Sequence, residues 1–358
     1  MTETEDEIVW IPIGTEDVPR LETILSERDP FVATTLDAKD PYRLAAYIQN
    51  AEYGDLGVCA LLDRNLVSRV VGLVGGQSVD HGSPEAETYR LAAACMAFLI
   101  TARVEIEPNV AMHEFAAFEE TEVQDQIRRW RVADHVHPQA YLNLALRRDQ
   151  ELDSSALNHA QELVAGRPKE SLPRTQLRHY RRHYAALLQV AFLERSAMAP
   201  EEKLRRVIEW SRDVGFFDGL AIGFAIVFFG RNRSGRMLKG VRSADGARCL
   251  EGVRNAAWDL TYLSYWVKYA QEQKSRIWIF ATGDRVLASL GRSTIGDRSA
   301  RDLFRENWTR REAAALFDAY RAARPEESPE RQAAVGERFE RLDEITAAVE
   351  MSILETAE

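Results

Sequence analysis

Three cysteines in 358 residues, Cys59, Cys95 and Cys249, are too few and too scattered for a disulfide framework or a zinc ribbon. Cys59 and Cys95 lie in apolar runs and read as buried thiols, which fits a reducing cytoplasm. Long hydrophobic runs are also missing. The longest, Gly215 to Gly230, contains Asp218 and is too short to cross a bilayer comfortably, so a buried helix is expected there. The opening Met1-Thr2-Glu3-Thr4-Glu5-Asp6-Glu7 is acidic where a signal peptide is basic. A cytoplasmic protein with no membrane partner follows as the expectation. Positive charge is in deficit as well, with 46 Lys and Arg against 56 Asp and Glu and a net charge of -10. That balance weakens a general affinity for nucleic acid, because phosphate binding relies on Lys and Arg.

Several chemistries lack their residues. No nucleophile elbow is present. The glycine-rich Gly72-Leu73-Val74-Gly75-Gly76 has neither the Gly-Lys-Ser/Thr of a P-loop nor a dinucleotide fingerprint. His179 and His183 stand at the i, i+4 spacing that can bind zinc, but Tyr180 occupies the place of a metalloprotease glutamate. A surface or RNA-facing pair is the expected role for these two histidines.

What is present is an ordinary globular composition, 46% hydrophobic and 28% charged, in a chain long enough for one large domain or two. Basic residues concentrate in two places, at Arg167, Lys169, Arg174, Arg178, Arg181 and Arg182 around an expected helix start, and in the loop-like run Arg231, Arg233, Arg236, Lys239 and Arg242. A charge run is usually a solvated face, yet the second run precedes a helix with a conspicuous aspartate and is a candidate for substrate binding. Residues 119–250 read as almost wholly helical, with periodic apolar positions such as Tyr184, Leu187 and Leu188. From 299 onward the pattern is that of charged amphipathic helices.

The most informative segments end in acids. Val58 to Leu62 reads as a buried strand running into Asp63-Arg64-Asn65. Arg103 to Ile106 reads as a strand leading through Glu107-Pro108 into a helix with Glu114. Trp258-Asp259 is read as the start of an apolar helix that runs to about Gln271. The following strand, Arg276 to Ala281, ends in Thr282-Gly283-Asp284. Helix and strand each span roughly 20 Å, so the strand returns the chain to the level where the helix began. If the strands are parallel neighbours, their carboxyl ends form the edge where ligands bind in open α/β sheets. Each aspartate also has a plain alternative as a helix cap, Asp63 for Leu66 to Val71 and Asp284 for the helix from Arg285. Glu107 is a rival for the place of Glu114.

An aspartate after an early strand, a glutamate early in a helix, an aspartate opening a later helix and a strand running into Thr-Gly-Asp resemble the PIN-like nuclease family. The resemblance covers about residues 55–118 and 251–292. It implies Asp63, Glu114, Asp259 and Asp284 as a catalytic, metal-binding set, with Asn65 and Thr282 as polar neighbours on the substrate side. It implies a three-layer α/β/α fold with a parallel sheet, formed by residues 1–118 and 251–298. A helical insertion would then occupy 119–250 and a helical tail 299–358. Four carboxylates held together repel, and Mg2+ or Mn2+ relieves that repulsion through hard oxygen ligands. The expected function is metal-dependent cleavage of single-stranded RNA, with Arg231, Arg233 and Arg236 on the substrate. The alternative is a non-catalytic PIN-like protein whose helical parts bind a protein or nucleic-acid partner. A protein partner or a homo-oligomer fits either.

Overall fold

A computed structural model describes residues 12–33, 36, 40–118, 123–166, 177–213, 217–231, 237–295, 300–324 and 335–355. The chain packs as two compact units. One comprises Met1–Pro173 with Tyr269–Ala288, the other Arg174–Lys268 with Ser289–Glu358.

The first unit is built on a four-stranded mixed sheet. Its strands are β1 (Phe31–Ala33), β2 (Gly57–Leu62), β3 (Glu105–Glu107) and β4 (Arg276–Ala281), in the order β1-β4-β2-β3. β2 is parallel to both β3 and β4, so the three strands expected from sequence lie side by side with one polarity. β1 adds to β4 antiparallel, which the sequence did not foretell. Cys59 to Leu62 and Trp278 to Ala281 are buried, as continuous apolar runs in central strands require.

Helices α1 (Val18–Arg28), α2 (Leu44–Tyr53), α3 (Arg64–Val74) and α4 (Ala86–Thr101) complete the centre of this unit. Leu91 to Leu99 of α4 are all buried, because α1, α2, α3 and the later α7 (Pro138–Ala145) pack around it. After α4 the chain turns through Arg103 in a left-handed conformation, φ 55°, and Val104 N–H bonds back to Leu99 O. Arg103 and Val104 therefore serve as a helix C-terminal cap, and the strand expected from Arg103 begins only at Glu105. α5 (Asn109–Phe118), α6 (Val123–Ala133) and α8 (Ser154–Val164) follow. α6 packs on α3 and α8 on α6, so this stretch belongs with the sheet; the unit boundary falls after Pro173 and not at the expected start of an insertion at 119.

The second unit is helical in its described residues. It contains α9 (Arg178–Glu194), α10 (Pro200–Asp213), α11 (Gly219–Phe229), most of α12 (Gly246–Glu272), the end of α13 (Arg285–Ile295), α14 (Ala300–Asn307), α15 (Arg310–Ala323) and α16 (Val335–Glu355). The apolar α11 starts on Asp218, whose carboxylate accepts the Ala221 N–H, and it packs against α9, α10 and α14. Among the described residues no helix is long and apolar enough to cross a membrane.

α12 overturns one expectation. It runs unbroken from Gly246, and Asp245 caps it by accepting the N–H groups of Ala247 and Arg248 at 2.9 and 3.3 Å. Asp259 thus sits in the middle of a 27-residue helix and opens nothing. Residues 247–257 are good helix formers with no breaker among them apart from Gly252, so no restart at Trp258 is needed.

Candidate active site

β2 and β4 end side by side, and each hands the chain directly to a helix. The Asp63 N–H closes the ladder on Ala281 O at 3.0 Å. One oxygen of Asp63, Oδ1, accepts the Leu66 N–H at 2.8 Å and caps α3. The other, Oδ2, accepts the Thr282 hydroxyl at 2.5 Å. Thr282 Oγ1 in turn accepts the Asp284 N–H at 3.0 Å. Asp284 Oδ1 accepts the N–H groups of Val286 and Leu287 at 2.7 and 3.1 Å, capping α13. Both plain alternatives for these aspartates, capping of the helices that follow, are therefore real interactions of the fold.

Capping does not account for everything at this edge. Asp63 and Thr282 are each only 2% exposed, while Asp284 is exposed. Burial pushes the Asp63 carboxyl up to about 6, and the Asp284 charge adds to that rise. Hydrogen bonds from Thr282, Leu66 and Gly283 pull in the opposite direction without cancelling it. Two aspartates stand at the carboxyl end of adjacent parallel strands, one of them sealed from water. A helix cap works equally well at the surface, so nothing about capping calls for that burial.

The other expected site residues are placed as follows. Glu114 is buried on α5, and its Oε1 lies 3.2 Å from Arg64 Nη1. The Arg64 guanidinium also lies over the Phe115 ring at 5.2 Å. Glu107 at the end of β3 accepts the Asn109 N–H at 2.8 Å, and burial raises its carboxyl. Asn65 is exposed on the first turn of α3. Asp259 is half-buried in α12 within the second unit. Arg231, also in that unit, is exposed and 4.0 Å from Glu312. Arg233 and Arg236 lie outside the described residues. Among the described residues no group of three or more His, Cys, Asp or Glu is placed to hold a metal ion.

A Mg2+ ion does not need such a group, since it keeps several waters and commonly takes one or two carboxylates together with a substrate phosphate. Asp63 and Asp284 supply two acids of the right hardness, and their mutual repulsion is what a cation would relieve. The residues at this edge fit that group.

Sequence reasoning missed a polar network in the second unit. His183 is fully buried on α9, contrary to the surface or RNA-facing role expected for it. Its Nδ1 lies 2.5 Å from Asp218 Oδ2 and its Nε2 lies 2.6 Å from Ser264 Oγ on α12. Arg182 approaches the same aspartate at 3.5 Å. The order Ser, His, Asp is that of a nucleophilic triad. A nucleophile must reach a substrate, and Ser264, His183 and Asp218 are 7%, 0% and 2% exposed. The network ties α9, α11 and α12 together. The helical period could have located His183, which shares a helix face with the buried Leu187 and Val190. Its partners, 35 and 81 residues away, could not be found that way.

No protein-family model matches this chain, and neither does a curated protein or a solved structure.

Proposed function

We propose that the carboxyl edge of the sheet is a PIN-like, metal-dependent nuclease site that hydrolyses phosphodiester bonds of single-stranded RNA. One observation carries the reading: the Asp63 carboxyl is buried at the end of two adjacent parallel strands, near enough to Asp284 for that charge to raise it further. Strongly perturbed carboxyls of this kind are characteristic of functional sites. Asp63 and Asp284 would hold Mg2+ or Mn2+, with Glu114 as a third acid that Arg64 neutralises in its absence. Such an ion supplies an activated water and screens the charge on the scissile phosphate. Thr282 fixes one oxygen of Asp63 and thereby sets the direction of the carboxylate. Arg64, adjacent to Asp63 in the chain and paired with Glu114, is suited to a phosphate oxygen because a guanidinium binds it in two-pronged fashion.

The test is cleavage of a mixed single-stranded RNA pool by purified protein. Activity with Mg2+ or Mn2+, silence in EDTA, and loss of activity in Asp284→Asn with an unchanged melting curve are expected. Equal cleavage by wild type and Asp284→Asn would defeat the reading. A second reading, a non-catalytic core that binds a partner through its helical parts, draws support from the net charge of -10 and from the lack of a three-acid group among the described residues. It predicts RNA or protein bound by the wild type with no cleavage in any metal.

A further inference from the structure

The second unit carries a basic cleft that no part of the nuclease reading uses. α14 and α15 pack on each other, and a cavity of about 640 Å³ opens along both. Arg301, Arg305, Arg310 and Arg311 line it, together with Phe317 and a single acid, Asp318. In a chain with more acids than bases, four guanidinium groups around one cavity form a marked local excess. Among the described residues one of the four is ion-paired. Arg305 reaches Asp302 at 3.7 Å, and Arg301 lies over the Phe317 ring at 5.8 Å. Arg310 and Arg311 make no ion pair among the described residues. Like charges crowded into a concave surface repel until an anion enters, and a concave site concentrates the field that draws one in.

The chemistry of the lining narrows the anion. Guanidinium groups match phosphate oxygens in a planar, two-pronged geometry. Phe317 supplies an aromatic surface among them, backed by Phe304 at 5.9 Å and Tyr320 at 6.2 Å. Aromatic rings beside arginines are how base-tolerant sites hold nucleotides. The volume falls in the range of small-ligand pockets. The start of α15 is not the attractor, because Thr309 and Glu312 already satisfy it in a capping box. We propose that this cleft binds a nucleotide, its phosphate on the arginines and its base against the Arg301–Phe317 pair, either free or as a unit of a single-stranded nucleic acid.

Fluorescence anisotropy on the full chain in EDTA tests this without any contribution from cleavage. One arm uses a short fluorescein-labelled oligouridine, the other a fluorescent ADP analogue. Binding by at least one probe is expected, weakening as salt rises. Arg301→Ala and Arg311→Ala should each weaken it on the order of tenfold, as expected for loss of a charge-assisted hydrogen bond. These side chains are exposed, so both variants should melt like wild type. Tighter binding of the oligouridine identifies a strand as the occupant, and tighter binding of the ADP analogue a free nucleotide. No binding of either probe by the wild type, or unaltered binding by both arginine variants, overturns the proposal. Because EDTA is present throughout, failure of the nuclease reading leaves these outcomes untouched.

Discussion

Thr282 donates a 2.5 Å hydrogen bond to Asp63 across 219 residues of chain, and both side chains are buried. The bond joins the ends of β2 and β4, strands paired in register from Gly57 with Arg276 to Leu62 with Ala281. The direction of the Asp63 carboxylate is therefore set by the sheet and not by its own helix alone.

The charge on Asp63 works against the fold at neutral pH. Burial holds its folded-state value up at about 6, against an ordinary value of 3.8. The folded chain binds the proton more tightly, so the stability from this group is complete below about pH 4 and is lost as pH rises through about 6. At 1.36 kcal/mol per pKa unit the loss amounts to roughly 3 kcal/mol. Asp63→Asn keeps a cap for α3 and removes the charge. It should melt higher than wild type at about pH 8, with the difference shrinking toward pH 4. A variant melting lower than wild type at about pH 8 would contradict this assignment.

Asp218 behaves in the opposite sense. Burial alone would raise its carboxyl, but the His183 and Arg182 charges and the hydrogen bond from His183 hold it well below the ordinary value of 3.8. Its stabilisation is present above about pH 4 and is lost as pH falls further. Asp218→Asn should destabilise the protein at neutral pH by roughly 1–3 kcal/mol, since it weakens the buried hydrogen bond to His183 and removes the charge that faces Arg182. The acid limb of the variant's stability profile should be flatter than that of wild type. Urea unfolding across the acid range measures both effects, and parallel profiles for the two proteins would refute the depressed Asp218 carboxyl.

Gly252 offers a test of packing within α12. Alanine is ordinarily better than glycine inside a helix by about 1 kcal/mol. Here an added Cβ would overlap the Lys239 carbonyl oxygen, a backbone atom that cannot swing aside. Gly252→Ala should therefore destabilise by roughly 1–3 kcal/mol, the usual range for overpacking. Gly223→Ala in α11 is the control, since its Cβ would meet Leu290 at an ordinary 3.6 Å. Chemical denaturation should move the two midpoints in opposite directions, and a stabilised Gly252→Ala would show that the close approach is not real.

The parts of this fold that sequence reveals are those with local signatures. β2 and β4 are apolar runs that end on aspartates, and capping by Asp63 and Asp284 follows from their position before a helical pattern. β1 has three residues and no period to detect. Asp259 resembles a helix start in the sequence because the aromatic cluster beside it is conspicuous, whereas the true start at Asp245 is a plain Ser-Ala-Asp-Gly. The pairing of Glu114 with Arg64 and of His183 with Ser264 depends on how helices pack, which no window of sequence contains. The Arg301 to Arg311 cleft emerges only when α14 and α15 bring their charges around one cavity.

The hydroxyl of Thr282 should tune the proposed metal site through Asp63. It donates to the carboxylate and so favours the charged form, holding the Asp63 value lower than burial and Asp284 would set it. A cation must displace any proton on Asp63, so Mn2+ binding should release protons below about pH 6 and weaken as pH falls. Thr282→Val removes the donor while keeping the branched shape. It should move the pH at half-maximal Mn2+ affinity upward, by on the order of one pH unit for a hydrogen bond of roughly 1.4 kcal/mol. Thr282→Ser restores the hydroxyl and should return the profile toward that of wild type. Titration calorimetry at several pH values measures the shift directly. A merely structural threonine would lower the melting temperature of Thr282→Val and leave the pH of half-maximal affinity where it was, and that result would remove Thr282 from the site.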